Sequence, residues 1–122
     1  MGIDFTARDL QTQLKAKGLP WEKAKAFDGA AVLGQWLTKK EFKDLQNLNF
    51  ELTKNDASVQ RGHTRLMLYT INQLIAYVSQ FFTLKIGDIL FTGTPAGVGA
   101  VQENDRLEGF LEGQKLLDLK IK

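Results

Sequence analysis

Three stretches of this sequence combine residue types that can do chemistry. The first is Asp4-Phe5-Thr6-Ala7-Arg8-Asp9-Leu10-Gln11. A carboxylate just ahead of a helix is a hard-oxygen ligand suited to a Mg²⁺-like cation. Arg8 and Gln11, three residues apart, share a helix face from which a guanidinium and an amide can orient an anion. The same residues have a purely structural use: Asp4 and Thr6 as helix caps, Arg8 as a solvated side chain. The second stretch is Trp21-Glu22-Lys23-Ala24-Lys25-Ala26-Phe27-Asp28. Lys25, set between two alanines and close to Phe27, can bring an ammonium to a substrate carboxylate or a developing enolate. Its alternative is a loop lysine whose stem covers apolar surface. The third is Gly87-Asp88-Ile89-Leu90-Phe91-Thr92-Gly93-Thr94-Pro95-Ala96-Gly97-Val98-Gly99. An apolar run there opens into small residues, which let backbone N–H groups come close to an anion. No Gly-Lys-Ser/Thr follows, so it is not a P-loop. A strand, not a helix, is expected after it, which argues against a dinucleotide fingerprint. A plain tight connection stays open, as does a small phosphate-binding loop. His63 has no second histidine to join it, and no carboxylate cluster beside it, and reads as structural or exposed.

The elements that must position these residues follow from patterning. Thr6 to about Lys17 reads as a helix, with Leu10 and Leu14 four apart and Gly18 and Pro20 ending it. Only Gly2-Ile3-Asp4-Phe5 precede it, enough for a very short strand. Trp21 to Trp36 reads as irregular and apolar, turning at Gly29 and Gly34. Leu48, Phe50 and Leu52 alternate with polar residues, the mark of a half-buried strand. Asn55-Asp56 is a turn, and Ser58 to Arg61 returns as the second strand of a hairpin. Thr70 caps a second helix over about 71–82, whose Leu74, Ile75, Val78, Phe81 and Phe82 form one apolar face expected to be core. Ile89-Leu90-Phe91 is a continuous apolar run, expected to be a strand covered on both faces. Leu107 to Leu111 and Leu116 to Ile121 are closing strands around Glu112-Gly113. Helix, strands, helix, strands is not the alternation of a parallel α/β sheet, so the expectation is a mixed α/β fold, mainly β.

A chain of 122 residues is the size of one domain. Its 43% hydrophobic and 25% charged residues exclude a disordered polymer. A net charge of +2 is too small to argue for nucleic acid or an anionic membrane. No stretch is long and apolar enough to span a bilayer. The first six residues formally fit an N-myristoylation pattern, but no basic cluster follows as a second anchor. With no cysteine there is no disulfide, thiol nucleophile or thiolate metal site, which suits a reducing compartment; a cytoplasmic location is the expectation.

In their order, three motifs resemble the fumarylacetoacetate hydrolase family. They are Asp4-x-Thr6-Ala7-Arg8-Asp9-Leu10-Gln11, Pro20-Trp21-x-x-Ala24-Lys25-x-Phe27-Asp28, and Thr83-Leu84-x-x-Gly87-Asp88-Ile89-Leu90-x-Thr92-Gly93-Thr94-Pro95-x-Gly97-Val98-Gly99. The resemblance runs from Ile3 to about Lys122. It is strongest to the branch of acylpyruvate hydrolases, oxaloacetate decarboxylase-like proteins and hydroxyheptadienedioate isomerase/decarboxylases. It implies a β-roll core with flanking helices, a homodimer, and a Mg²⁺ or Mn²⁺ site that holds a 2-oxo acid while a metal-stabilised enolate forms. It further implies Asp4 as metal ligand, Arg8 and Gln11 as residues positioning substrate or metal-bound water, Lys25 beside the substrate carboxylate or enolate oxygen, and Gly93 and Thr94 as the anion-binding loop. The sequence departs from the family in three ways. The family's pair of glutamates one residue apart, upstream of the aspartate, has no counterpart, since no Glu-x-Glu occurs here. The family's Pro-Leu-Gly-Pro is Val32-Leu33-Gly34-Gln35, and its hairpin Asn-Gly is Asn55-Asp56. The expectation is therefore that residues 1–122 are the C-terminal part of such a catalytic domain. The competing expectation is a folded, dimerising module without activity of its own.

Overall fold

The computed structural model describes residues 1–122. Its elements run β1 (Gly2–Asp4), α1 (Arg8–Ala16), α2 (Glu22–Lys25), β2 (Ala31–Leu33), β3 (Asn49–Lys54), β4 (Ala57–His63), α3 (Ile71–Val78), β5 (Arg106–Leu111) and β6 (Gln114–Lys120). Short 3₁₀ turns lie at Lys39–Glu41 and Thr64–Leu66. The strands form two antiparallel sheets, the pair β1-β2 and a four-stranded sheet in the order β4-β3-β5-β6. The fold is thus mainly β with a few helices, as the patterning indicates.

The four-stranded sheet is built from two tight hairpins joined through the β3–β5 pairing. Asn55 and Asp56 both take positive φ, +50° and +67°, and close β3 onto β4. That conformation matches the twist of a two-residue hairpin and is tolerated by short polar side chains. Glu112 and Gly113, at φ +49° and +78°, close β5 onto β6 in the same way. The fully buried residues are few: Ala24, Ala30, Leu107, Gly109, Leu116 and Leu117. Most of them sit where the small sheet rests on the β5–β6 hairpin. There the Gln35 N–H donates to the Leu116 carbonyl at 2.6 Å. A methyl group at Gly34 would overlap that carbonyl, so only glycine lets β2 run so close to β6.

One face of the β5–β6 hairpin carries a four-charge network. Arg106 grips Asp118 with two donors at 2.9 and 2.7 Å, and Lys115 reaches both Glu108 and Asp118 at 3.0 Å. The Arg106 hydrogen bonds, then those of Lys115, hold the Asp118 carboxyl well below the ordinary carboxylate range.

The structure corrects four expectations. The first helix begins at Arg8, and its N-cap residue is Ala7 with no side-chain cap, so neither Asp4 nor Thr6 caps it. Trp21 to Trp36 contains α2 and β2, elements too short to leave a periodic signature. Ile89-Leu90-Phe91 forms no strand and is 47%, 37% and 39% exposed. An apolar run becomes a buried strand only where other strands flank it, and none pairs with it here. Finally, α3 starts as expected: the Thr70 hydroxyl accepts from the Gln73 N–H, and the Gln73 side chain accepts from the Thr70 N–H. It ends at Val78, however, and none of its residues is buried: Leu74 and Val78 are half-buried, Ile75 is exposed, and Phe81 and Phe82, 65% and 67% exposed, lie beyond the helix. Periodicity shows that a face needs covering; it does not show that an element of the same chain covers it.

Candidate active site

The site is assembled where the end of β1 meets α2. After Asp4 two backbone bonds tie the chain to the segment around α2: Phe5 N–H to the Ala30 carbonyl at 2.7 Å and Ala7 N–H to the Ala24 carbonyl at 3.0 Å. Ala24 is completely buried at this junction, leaving no room for a larger side chain. Its neighbour Lys25 therefore lands beside β1. The Lys25 ammonium sits 2.6 Å from Asp4 Oδ2 and donates to Thr6 Oγ1 at 2.8 Å. Residues from two of the three stretches thus meet in one cluster. Thr6, read from the sequence as a cap, is instead an acceptor for the lysine.

On the first turn of α1, Arg8 donates from Nη1 to Gln11 Oε1 at 2.8 Å, so these two side chains share a face as their spacing requires. The Gly93-Thr94 bend does not join the cluster by any hydrogen bond or ion pair. It is linked to β1 through Phe91, whose ring lies where a methyl group on Gly2 would stand 3.1 Å away. Gly93 has φ +112°, a conformation closed to ordinary L residues. Thr94 Oγ1 accepts a hydrogen bond from Gln60 at 2.9 Å. Gln60 is a residue that no spacing or composition signal singles out, because its partner is 34 positions away. His63 is structural: its Nδ1 accepts the Arg65 N–H at 3.1 Å.

The donor set decides what a metal could find here. Asp4 offers carboxylate oxygens and Thr6 a hydroxyl, both hard ligands of the kind Mg²⁺ and Mn²⁺ prefer. Asp4 is nevertheless a lone carboxylate, and no group of three or more His, Cys, Asp or Glu side chains gathers anywhere in the structure. The residues fit such an ion in kind but do not by themselves make a complete site.

The chain is similar to known proteins over nearly its whole length. Residues 1–120 match the family model described as fumarylacetoacetate (FAA) hydrolase C-terminal. An oxaloacetate tautomerase of Escherichia coli (strain K12) is 45% identical over 117 residues, which cover 95% of this chain and 53% of that protein. A crystal structure from Yersinia pestis CO92, assigned to the fumarylacetoacetate hydrolase family, superposes with a TM-score of 0.94 at 45% identity, covering 99% of this chain and 57% of the other. Fumarylpyruvate hydrolase from Pseudomonas aeruginosa, solved with Mn²⁺ and pyruvate, superposes with a TM-score of 0.92 at 34% identity, covering 98% of this chain and 52% of the other. This chain therefore spans about half the length of the relatives it matches. With the motifs in order, the fold superposable and nearly every residue matched, the chain belongs to the fumarylacetoacetate hydrolase family, on the branch that holds oxaloacetate tautomerases and fumarylpyruvate hydrolases.

Proposed function

We propose that this chain carries part of the active site of a divalent-metal-dependent enzyme acting on 2-oxo acids through an enolate. Keto–enol tautomerisation of oxaloacetate, or cleavage of an acylpyruvate, is the reaction class. Loss of a proton or of an acyl group at C3 leaves an electron pair that moves onto the C2 oxygen, and the site must stabilise that oxygen. The observation that carries the reading is the cluster of Asp4, Thr6 and Lys25, held at 2.6 and 2.8 Å between two segments 19 to 21 residues apart. The relatives' activities on 2-oxo acids support it. A bound Mg²⁺ or Mn²⁺ would supply a Lewis acid for the keto oxygen, with Asp4 as one of its ligands. The ammonium of Lys25 stabilises the enolate oxygen or the substrate carboxylate. Arg8 and Gln11 orient the substrate, and Gly93 and Thr94 receive its anionic end.

Calorimetric titration of the chain with Mg²⁺ and oxalate, a planar mimic of the enolate form of a 2-oxo acid, tests the reading. We expect binding that Asp4→Ala abolishes. Absence of binding would favour the second reading, a folded module that acts only by associating, which the lone carboxylate supports.

Association as a homodimer belongs to the same proposal. The chain exposes 9408 Å². A folded monomer of 13.7 kDa exposes about 6,600 Å². The surplus is on the scale of the larger interfaces of obligate assemblies. It is rich in large apolar side chains, among them Trp36, Leu68, Tyr77, Phe81 and Phe82.

A further inference from the structure

The edge strand β4 breaks its pairing register at one place. Leu52 pairs with Gln60 and Thr53 pairs with Ser58, so Val59 is an extra residue, a β-bulge. Bulges on edge strands re-aim the residues at and beside them. Here three contacts leave from the bulge and the residue beside it, and all go to the Gly-rich loop. The Val59 carbonyl lies against Gly97, where an added methyl group would overlap its oxygen. Gly97 also has φ +100°, so both space and backbone conformation exclude other residues. Beside it, Gln60 Nε2 lies 2.9 Å from Thr94 Oγ1 and 3.1 Å from the Pro95 carbonyl oxygen. The loop forms no strand, and these contacts seat it on β4.

We infer that Gln60 is a positioning residue that turns the Thr94 hydroxyl into a hydrogen-bond donor toward the substrate's anionic end. This rests on the 2-oxo acid reading above. A backbone carbonyl can only accept, so the Gln60 atom facing Pro95 is the amide nitrogen, not the amide oxygen. The same NH₂ group has a second hydrogen, which it gives to Thr94 Oγ1. A threonine hydroxyl has one proton and two lone pairs. With a donor on one lone pair, the O–H is directed elsewhere, available to a carboxylate. A glutamate at position 60 would do the reverse: it would accept a hydrogen bond from the Thr94 O–H, drawing that donor away from the substrate, and place a negative charge beside an anion site.

The test is a double-mutant cycle read by ¹H–¹⁵N NMR, with oxalate titrated in the presence of Mg²⁺ while the Gly93 and Thr94 amides are followed. Gln60→Met keeps the side-chain length and removes the donor; Thr94→Val keeps the shape and removes the hydroxyl. We expect Gln60→Met to weaken oxalate binding about tenfold in the wild-type background and by less than about twofold in the Thr94→Val background. Gln60→Glu should weaken it more than Gln60→Met, and serves if the methionine variant does not fold. Unchanged oxalate affinity in folded Gln60→Met and Gln60→Glu overturns the proposal. Equal losses in both backgrounds also overturn it, because the glutamine would then act through the fold in general. The reading of the site is checked separately by Asp4→Ala. If oxalate binds and depends on Asp4 but not on Gln60, only the positioning role falls. If the wild-type chain shows no oxalate-dependent shift, the site reading falls and takes the positioning role with it.

Discussion

A lysine ammonium has three N–H donors, and at Lys25 two of them are committed, one to Asp4 and one to Thr6. The third is left over, and in the function proposed above it meets an oxygen of the substrate, in a direction set by the other two. The ion pair is partly exposed, with the Lys25 and Asp4 side chains 32% and 47% accessible, so its worth lies in orientation more than in stability. In a full-length enzyme carrying this segment, and on the function proposed above, Lys25→Met should lower turnover of a 2-oxo acid at least about tenfold while leaving Mg²⁺ affinity unchanged or stronger, because Asp4 loses a competing cation. Steady-state kinetics and a Mg²⁺ titration check it. Lost Mg²⁺ binding with unchanged turnover per bound ion would show that the lysine organises the ligand instead of acting on substrate.

Hairpins that support the site have their own electrostatics. Besides Asp118, two further carboxyls are held below the ordinary range: Asp105 by the Gln102 N–H and then the Asn55 amide, and Glu51 by the Ser58 hydroxyl and then Arg61. A depressed folded-state pKa gives stability that is fully present above the unfolded value, about 4, and is lost as pH falls through the folded value. The urea midpoint should therefore be flat from about pH 5 to about pH 6.5 and drop below about pH 4. Asp118→Asn should shallow that drop, and 1 M NaCl should do so too, since these groups face solvent. An acid slope identical in the variant would mean that the network on β5 and β6 does not contribute to the pH dependence.

For the molecule as a whole, the balance of buried and exposed surface is the informative quantity. Six buried residues are a small core for this length, and the apolar residues that could enlarge it lie outside. Light scattering should report twice the chain mass. Phe81→Glu combined with Phe82→Glu should shift it to one chain mass, with far-UV circular dichroism unchanged, since both residues lie beyond α3 and are exposed. A wild-type chain that stays monomeric at tens of micromolar would sink the dimer, as 2,000 Å² or more of apolar interface holds chains together at such concentrations.

Much of this was legible in the residue order, for local reasons. Alternation in 48–52, the two-residue turns and the Thr70 cap each involve neighbours a few positions apart, and they appear where expected. Arg8 and Gln11 needed only a helical turn to meet. Motif order alone named the family. Tertiary structure decided what depends on distance across the chain. It placed Lys25 on Asp4 and Thr6 through a backbone bond at Ala24, and it brought Gln60 to Thr94 through a bulge that no pattern announces. It also left the 89–91 run and the α3 face uncovered, because apolar periodicity encodes the need for a partner surface and only packing supplies one.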